Sequence, residues 1–569
     1  MRTIGFFILS CCLIQAQPAK LLFNGNIVTV DAKFDVAQAM VVRKDRISGV
    51  GTTAAMTRLA GREAERIDLK GKTVLPGLMD THVHAGGASL YEFDHTVPDM
   101  ETMADVLAYM KSRAAQAKAG EWIRVSQVFI TRIREQRFPT RAELDQIAPN
   151  NPVYFSTGPD ASLNSQALRL SGIDKSFEIK DGLPGRIERD NNGEPTGIIR
   201  NCSRFVKYQS NLRTPTQAEK QARLKQLLAD YNSVGLTSVA DRNTSDDEVE
   251  VFRQLHGKGE LTCRAFLTYA VDAQLPFTEI ETLISKAAKD PLHTYDNMLW
   301  LRGVKLFLDG GMLTGSAFML KPWGVSKVYS IDDPQYQGMK YIQADKLYQI
   351  ARTALKNGFQ ITAHSVGDGA VTALVDAYDR INEHDFALRE MRPAVTHSNF
   401  MTPEVIAKMK RIGVVADLQP AWLWLDGATL LKQFGDERMK YFQPYKTLFE
   451  QGVKVGSGSD HMQKIGSFRS INPYNPFLAM WITLTRQPRW MEGALHPEQS
   501  ISREQAIQLY TINNAYLMFQ EKEKGSLEAG KLADFIILDR DILTCPLDQV
   551  KNIQVEETYL GGKRVYKRQ

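Results

Sequence analysis

Cysteine is scarce in this chain: the 569 residues include only five cysteines, and two of them, Cys11 and Cys12, lie near the N-terminus. The other three, Cys202, Cys263 and Cys545, are widely spaced and form neither a disulfide framework nor the CxxC pairs of a zinc knuckle. Stability must therefore come from a large apolar core, and we expect these three cysteines to be buried as small hydrophobic residues.

Clusters of one charge are also lacking. The formal net charge is only +5, and Lys and Arg are scattered along the chain apart from the short C-terminal stretch KRVYKRQ. Proteins that bind nucleic acid usually concentrate basic residues on one surface. We therefore predict a solvated surface of mixed charge and no nucleic-acid partner.

Long apolar runs are missing too, because none reaches the roughly 20 residues that a membrane-spanning helix needs. The N-terminal run Ile4–Ile14 follows Arg2 and precedes a small residue, Ala16, which is the pattern of a bacterial-type signal peptide. We predict a signal peptide over residues 1–16, export to the periplasm or the extracellular space, and no integral membrane segment in the mature chain. Lipoprotein anchoring through Cys11 is less favoured, because Leu9 is bulky where such sites prefer small residues.

The region from residue 236 onward alternates short β-rich runs with amphipathic helical patterns such as Gln343–Gly358. Continuous apolar strands that alternate with helices indicate a parallel sheet covered on both faces. A further run near residue 75 brings the candidate strands to eight, which predicts a closed (β/α)8 barrel of the TIM type. The predicted barrel strands are Thr73–Asp80, Leu236–Asp241, Arg264–Ala270, Gly303–Gly310, Gln360–Ser365, Pro393–Ser398, Gly413–Leu418 and Lys454–Asp460.

The chain is too long for one core, and its other parts predict two additions to the barrel. We assign the barrel to residues 71–523, with an insertion at about 88–220 that contains the strand-like NPVYFS and is expected to cover the barrel mouth. Short strands broken by Gly and Asn at both chain ends predict a small composite β-sandwich built from residues 17–70 and 524–569. Neither end has enough apolar surface to fold alone.

Ionisable residues end several of the predicted barrel strands. His82 and His84 follow the first strand, and alternate strand residues project to the same face. His364, His397 and Asp460 end three later strands, and the C-terminal ends of barrel strands meet at one rim. Because the chain holds only ten histidines, this set predicts a site for one or two divalent cations, most naturally zinc.

Lys305 lies in an otherwise apolar strand, GVKLFLDG, where an unpaired ammonium is costly to bury. One explanation is an ion pair with Asp309. The other is carboxylation of Lys305 by carbon dioxide, which converts the amine into an anionic ligand that bridges two metal ions. Burial favours the second explanation, because it lowers the pKa of a lysine and exposes the neutral, nucleophilic amine.

Six motifs cover nearly the whole mature chain in order: LPGLMDTHVH, GVKLFLDGG, ITAHSVGDGAV, RPAVTHSNF, GSGSD and GSLEAGKLADFIILDRD. With these motifs the sequence resembles the amidohydrolase superfamily, in particular its amidohydrolase-3 branch of YtcJ-like and N-substituted formamide deformylase-like proteins. The resemblance implies a metal-bearing barrel with a composite β-sandwich. It also implies metal ligands at His82, His84, Lys305, His364, His397 and Asp460.

Two segments depart from the pattern of this family. A histidine is expected shortly before Asn164, where the chain has Ala161 and Ser162, and GSDHMQKIGSF after the eighth strand replaces a small, proline-containing continuation. Both segments are placed where substrate would be held. The departures therefore put the substrate in question and leave the metal chemistry untouched.

The resemblance implies hydrolysis of a C–N bond, of the amide, N-acyl or N-formyl type, in a small molecule. A metal-activated hydroxide would attack the carbonyl carbon, and Asp460 would act first as general base and then as general acid. Alternatives stay open: the same metals acting on another bond, as in a lactonase, phosphotriesterase or deaminase; an isomerase or decarboxylase; or a catalytically inactive exported binding protein. A homodimer also stays open.

Five further residues complete the candidate site. Trp422 and Trp424 follow the seventh strand, and they either wall an acyl or aryl pocket or pack in the core. His461 is expected to help line the site. Asp309 and Asp368 are candidates to support the ligand residues, and the alternative for Asp368 is an acid at a helix N-terminus, favoured by the helix dipole.

Overall fold

The computed structural model describes residues 18–126 and 128–569, so the predicted signal peptide lies outside the described residues. In chain order the strands are β1 (Lys20–Phe23), β2 (Asn26–Val28), β3 (Val36–Ala37), β4 (Ala39–Arg43), β5 (Arg46–Gly51), β6 (Glu65–Asp68), β7 (Thr73–Pro76), β8 (Leu78–Val83), β9 (Ile123–Ser126), β10 (Val153–Ser156), β11 (Ala161–Leu163), β12 (Arg186–Arg189), β13 (Pro195–Arg200), β14 (Leu236–Thr244), β15 (Arg264–Ala270), β16 (Leu299–Phe307), β17 (Gln360–Ser365), β18 (Ala394–His397), β19 (Val415–Leu418), β20 (Val455–Ser457), β21 (Phe535–Leu538), β22 (Val555–Leu560) and β23 (Lys563–Lys567). The α-helices are α1 (Thr53–Ala60), α2 (Ala85–Leu90), α3 (Met103–Gln116), α4 (Arg141–Ile147), α5 (Ser165–Ser171), α6 (Gln217–Ser233), α7 (Asp246–Gly257), α8 (Phe277–Ala288), α9 (Ala344–Lys356), α10 (Asp368–His384), α11 (Pro403–Ile412), α12 (Pro420–Phe434), α13 (Asp436–Met439), α14 (Tyr445–Gln451), α15 (Pro476–Thr485), α16 (Arg503–Leu509) and α17 (Ile512–Leu517).

The centre of the fold is a parallel sheet of eight strands in the order β8, β14, β15, β16, β17, β18, β19, β20. Its first and last strands meet, because Val83 and His461 form a parallel bridge and the N–H of Asp460 donates to the carbonyl of His82 over 2.7 Å. Apolar faces of the surrounding helices, such as Leu227 of α6 and Ile350 of α9, join the core of the sheet. The predicted (β/α)8 barrel is confirmed.

Glycine is required at the seam where the barrel closes. A Cβ atom at Gly458 would lie only 2.5 Å from the backbone nitrogen of His82. Since non-bonded heavy atoms do not approach so closely, only a residue without Cβ lets the segment after β20 lie against β8. This close approach brings Asp460 to the histidines of the first strand.

The first predicted strand is split between two sheets, so its prediction as one barrel strand was wrong. Thr73–Pro76 forms β7 and pairs antiparallel with β21, whereas Leu78–Val83 forms β8 of the barrel. Gly77 marks the break, and its N–H donates to the carbonyl of Asp534 over 2.9 Å. The other seven predicted strands overlap β14 to β20, with the largest shifts in the bounds of β16 and β20.

Two sheets outside the barrel form the predicted composite domain. One sheet has the order β5, β4, β1, β6, and the other, with the order β23, β22, β21, β7, β2, β3, combines strands from both chain ends. Side chains of the two sheets share one apolar cluster that includes Leu22, Met40, Val74 and Phe535. The two ends of the chain therefore bury apolar surface against each other, which explains why neither end needs a core of its own.

The insertion after the first barrel strand contains a separate sheet of order β12, β13, β11, β10, β9. Its strand β10 coincides with the predicted NPVYFS, and Phe155 of this strand packs in an apolar cluster with Val106 of α3 and Leu144 of α4. A short 3₁₀ turn at Ile130–Arg132 leads from this cluster towards the barrel. The insertion is thus a packed unit and not an extended loop.

The three cysteines of the mature chain are free, with Cys202 and Cys263 buried and Cys545 half-buried. The expectation of buried cysteines therefore holds for two of the three. Across residues 18–126 and 128–569, no helix combines the length and the apolar character needed to cross a membrane.

Candidate metal centre

Two histidines and one aspartate meet at the seam of the barrel. His82 lies in β8, His84 follows that strand, and Asp460 follows β20. One ligand atom from each residue lies within 4.8 Å of the others, and Oδ1 of Asp460 is 3.5 Å from Nε2 of His82 and 3.2 Å from Nε2 of His84. Ligand atoms about 2 Å from a tetrahedral cation lie roughly 3.3 Å apart, so the spacing suits a metal ion.

The other predicted ligands lie on the neighbouring strand ends. Lys305 is in β16, His364 is in β17, and His397 is the last residue of β18. The ring centroid of His397 is 4.8 Å from that of His82 and 4.5 Å from that of His364, and the centroids of His82 and His84 are 5.2 Å apart. The structure therefore brings all four predicted histidines into one row at the C-terminal ends of the strands.

Two of these residues have unusual backbone conformations. His397 has φ of 68° and Asp460 has φ of 57°, both in the left-handed region. That region is unfavourable for residues other than glycine, by about 1 kcal/mol or more, and is kept where the surrounding fold imposes it. Strain at two of the predicted ligands is typical of a functional site.

Lys305 is an unpaired buried amine. Its side chain is 1% exposed, and its Nζ atom has no hydrogen-bond partner among the described residues. The alternative ion pair with Asp309 is not formed, because the carboxylate oxygens of Asp309 accept three backbone N–H groups instead. Burial lowers the pKa of Lys305 from 10.5 to about 7, and the positive charge of Arg242 acts in the same direction. Much of this amine is therefore neutral near pH 7.

Burial also keeps the imidazoles neutral. It lowers the pKa of His364 to about 3, and the nearby Lys305 lowers it further. The pKa values of His82 and His397 lie well below the usual 6.5, again chiefly because of burial. Neutral imidazole is the form that binds a metal ion.

The ring orientations of two histidines are fixed by residues on or next to β19. Nδ1 of His82 lies 3.1 Å from a carboxylate oxygen of Asp417, and Nδ1 of His397 lies 2.7 Å from the side-chain oxygen of Gln419. Since both partners accept, both Nδ1 atoms donate and the Nε2 atoms keep their lone pairs. Nε2 of His82 is buried without a hydrogen-bond partner among the described residues.

Sequence analysis missed several residues that support this centre. Asp417, in GVVADLQP, is an acid within an apolar strand, the same signal that identified Lys305 and one that would have found it. Asp80 accepts the backbone N–H groups of His82 and Ser459 and so joins the two edges of the seam. Burial raises the pKa of Asp80 to about 7 and that of Asp417 to about 6.

The two predicted tryptophans have different surroundings. Trp422 is 3% exposed, and its ring stacks on that of His397 with the centroids 4.6 Å apart and the planes 12° from parallel. Trp424 is half-buried and lines a cavity of about 250 Å³ between the insertion and the segment after β20, together with Phe129 and Phe468. Trp422 therefore packs against a ligand, and Trp424 faces open space.

His461 and Asp368 bond to protein groups rather than to the ligands. His461 is fully buried; its Nδ1 lies 2.7 Å from the hydroxyl of Tyr231, and its Nε2 lies within 2.9 Å of two backbone carbonyls. Both ring nitrogens are thus occupied, and neither is available to a substrate. Asp368 is the first residue of α10 and accepts the backbone N–H of Leu320, in line with its alternative interpretation as a helix N-terminal acid.

Asp309 supports the loop that follows β16. Its Oδ1 atom is 4.0 Å from Nε2 of His364, beyond hydrogen-bonding distance. It therefore shapes the backbone beside this ligand without a direct bond to the ring.

The donor set fits a divalent cation. Nε2 of His82 and Nζ of Lys305 are buried polar atoms without hydrogen-bond partners among the described residues, and such atoms are costly unless a ligand satisfies them. Neutral imidazoles and a carboxylate are donors that zinc and related divalent ions prefer. His82, His84 and Asp460 would hold one ion directly.

Comparisons with known proteins agree with this geometry. The profile described as "Amidohydrolase family" matches residues 65–566. The N-substituted formamide deformylase of Arthrobacter pascens is 29% identical over 96% of this chain and 98% of its own. The putative amidohydrolase YtcJ of Bacillus subtilis is 24% identical over 96% and 99%.

The fold also has solved counterparts. An uncharacterized metal-dependent hydrolase from Pyrococcus furiosus superposes with a TM-score of 0.65 at 24% identity, over 92% of this chain and 100% of that one. At this identity the likeness establishes the fold, and the profile match over most of the chain establishes the family. The protein is therefore a member of the amidohydrolase family, a metal-dependent hydrolase whose divalent-cation site lies at the C-terminal ends of its barrel strands.

Proposed function

We propose that the protein hydrolyses the C–N bond of a small N-acyl or N-formyl amide, with one or two zinc ions at the barrel mouth. The observation that carries the proposal is the set of buried donors without protein partners, Nε2 of His82 and Nζ of Lys305, next to the carboxylate of Asp460. The substrate class is supported by the likeness to N-substituted formamide deformylase. Hydrolysis of a lactone, a phosphotriester or an amidine by the same centre is the alternative.

Asp460 is the residue proposed to move protons. Its Oδ1 atom lies beside both His82 and His84, so a water bound in this space is within its reach. A bound divalent cation supplies a Lewis acid for the carbonyl and lowers the pKa of water from about 16 to about 7. Asp460 then accepts the proton of the attacking water and gives it to the leaving nitrogen, which departs as a neutral amine.

Carboxylation of Lys305 is the proposed basis of a second cation site. The neutral nitrogen of Lys305 forms a bond to the carbon of carbon dioxide and releases one proton. The resulting anion would lie between one ion held by His82, His84 and Asp460 and another held by His364 and His397. Because these imidazoles are neutral, the added negative charge is balanced by the cations alone.

A half-exposed aromatic ring supports a substrate with an apolar or aryl group. Phe307 follows Lys305 by two positions in β16, so both side chains leave the strand on the same face. Its ring is 46% exposed and lies 5.6 Å from the ring of His364, centroid to centroid. An apolar surface beside polar ligands is the usual composition of a small-molecule site.

Export by a signal peptide over residues 1–16 is part of the proposal and rests on the sequence pattern alone. Cell fractionation and the N-terminal sequence of the mature protein test it: a cytoplasmic protein that keeps Met1 would contradict it. Assembly as a homodimer is tested by light scattering of the purified chain.

Elemental analysis of the purified protein, followed by a substrate panel of N-formyl, N-acyl-amino-acid and lactone compounds, tests the main proposal. We expect one or two divalent ions per chain and turnover of the amides. His82→Ala should lower both the ion content and turnover. The matched control is His293→Ala, because the ring nitrogens of His293 bond only to the carbonyls of Leu301 and Asn357, and this variant should keep both.

The ion content separates the alternatives. Two ions, with a loss on Lys305→Ala, support the bridged arrangement, and one ion removes the bridging role of Lys305. Lactone turnover without amide turnover favours the other bond. If no divalent ion binds on reconstitution, the proposed function is wrong and an inactive binding protein takes its place.

A further inference from the structure

The two carboxylate oxygens of Asp460 have different surroundings. Oδ1 lies on the side of His82 and His84, at 3.5 and 3.2 Å from their Nε2 atoms. Oδ2 lies 3.2 Å from Nδ2 of Asn472, and the same amide nitrogen is 2.7 Å from the backbone carbonyl of Asp460. Asn472 is fully buried, so this amide grips both ends of the residue from the side opposite the histidines.

Arg132 fixes which way the amide of Asn472 points. Its Nη1 atom lies 2.7 Å from Oδ1 of Asn472 and 3.0 Å from the carbonyl of Ile471. A guanidinium can only donate hydrogen bonds, so the amide oxygen must face Arg132. The amide N–H₂ group must then face Asp460, which makes it a donor to Oδ2.

Arg132 is in turn held by a carboxylate of the barrel. Its Nε and Nη2 atoms bond to Asp426 of α12 at distances of 3.2 and 2.7 Å, and Thr131 donates to the same carboxylate over 2.9 Å. Arg132 is 6% exposed and Asp426 1%. A bidentate pair buried to this degree has a single geometry, so the chain Asp426–Arg132–Asn472 is rigid.

We infer that Asn472 is a positioning residue for Asp460, and that Arg132, supplied by the insertion, sets its orientation. This inference rests on the proposed function, because it assigns the Oδ1 atom of Asp460 to the cation and to proton transfer. The insertion thereby has a second task besides covering the barrel mouth: it completes the support of a ligand on the far side of the barrel. Sequence alone placed none of these three residues near the site.

A purely structural role predicts a different result from a positioning role. Loss of a support that orients a ligand lowers metal affinity by about 10-fold to 100-fold. It lowers kcat more than it raises KM, because the affected carboxylate acts in the chemical step. A structural role would lower the stability of the fold and leave the affinity of the folded protein for Zn²⁺ unchanged.

The experiment measures the affinity of the full chain for Zn²⁺ by chelator competition, together with kcat and KM on an active amide. Asn472→Leu removes the amide at nearly constant volume, and Asp426→Asn changes one atom while leaving Asn472 in place. The matched control is Arg264→Met, which breaks the buried pair of Arg264 and Asp534, 4% and 3% exposed at the opposite end of the barrel. It should cost similar stability.

We expect Asn472→Leu to bind Zn²⁺ about 10-fold to 100-fold more weakly, with Asp426→Asn shifted in the same direction and Arg264→Met within about twofold of the natural protein. Natural affinity in both Asn472→Leu and Asp426→Asn overturns the inference. Equal weakening in Arg264→Met also overturns it, since a general loss of stability would then be the cause. If the natural protein itself binds no Zn²⁺, the proposed function fails, and that outcome is distinct from the other two.

Discussion

Replacement of Lys305 by methionine tests whether the barrel mouth is built around an unpaired buried amine. Methionine keeps the length and apolar stem of lysine and removes the nitrogen. Because Nζ of Lys305 has no hydrogen-bond partner among the described residues, nothing is left unsatisfied by the change. The metal-free Lys305→Met protein should therefore be more stable than the metal-free natural protein.

The magnitude depends on pH in a defined direction. The pKa of Lys305 is about 7 in the folded chain, against 10.5 for the free group, so between these values the unfolded chain binds more protons. The natural protein then gains stability as pH rises from about 7 towards 10.5, at up to about 1.4 kcal/mol per pH unit. Methionine does not titrate. The advantage of Lys305→Met should shrink by up to about 3 kcal/mol between pH 7 and pH 9.

Urea denaturation of the metal-free proteins at these two pH values, in buffer free of carbon dioxide, measures the difference. The control is Lys111→Met, at an exposed position of α3, which should show no change in the difference between the two pH values. Equal advantages of Lys305→Met at pH 7 and pH 9, or a destabilised variant at pH 7, would refute the reasoning. Such a result would mean that Lys305 is a solvated or paired ammonium in the metal-free protein.

Two further predictions concern the supports of the ligands. In Asp309→Asn an NH₂ group replaces one of two oxygens that both accept backbone N–H groups, so urea denaturation should show a loss of about 1–3 kcal/mol; unchanged stability would mean that these bonds are not formed. Trp422→Ala removes a ring that is 3% exposed, and should cost about 3–5 kcal/mol of stability. A change confined to KM would instead make Trp422 a pocket wall.

The parts of the fold with local sequence signals could be predicted. Buried parallel strands are continuous apolar runs, and Arg264–Ala270 and Gln360–Ser365 were predicted with the bounds that the structure has. The first strand failed because Thr73–Asp80 carries one continuous apolar pattern although Pro76 and Gly77 divide it between two sheets. Which sheet a segment joins depends on partners such as Phe535, hundreds of residues away, and periodicity holds no information about them.

The site followed the same division. Residues that are chemically out of place in their strands, such as Lys305, or that end strands at one rim, such as His364, could be found from position alone. Asn472 and Gln419 could not be found, because an amide in a loop or after a strand is ordinary. Their importance comes from distances to Asp460 and His397, which exist only once the barrel has closed.

The hydrogen-bond polarity of these supports determines what the ligands can bind. Gln419 donates its NH₂ group to Asp417, so its oxygen must accept from Nδ1 of His397, while Asp417 itself accepts from Nδ1 of His82. Each histidine is thus held as the tautomer whose Nε2 has a free lone pair. Asn472 acts on Asp460 in the complementary sense, since it donates to Oδ2 and leaves Oδ1 beside the histidines. Donors and acceptors behind the ligands therefore prepare two nitrogen lone pairs and one carboxylate oxygen for a cation before any cation is bound.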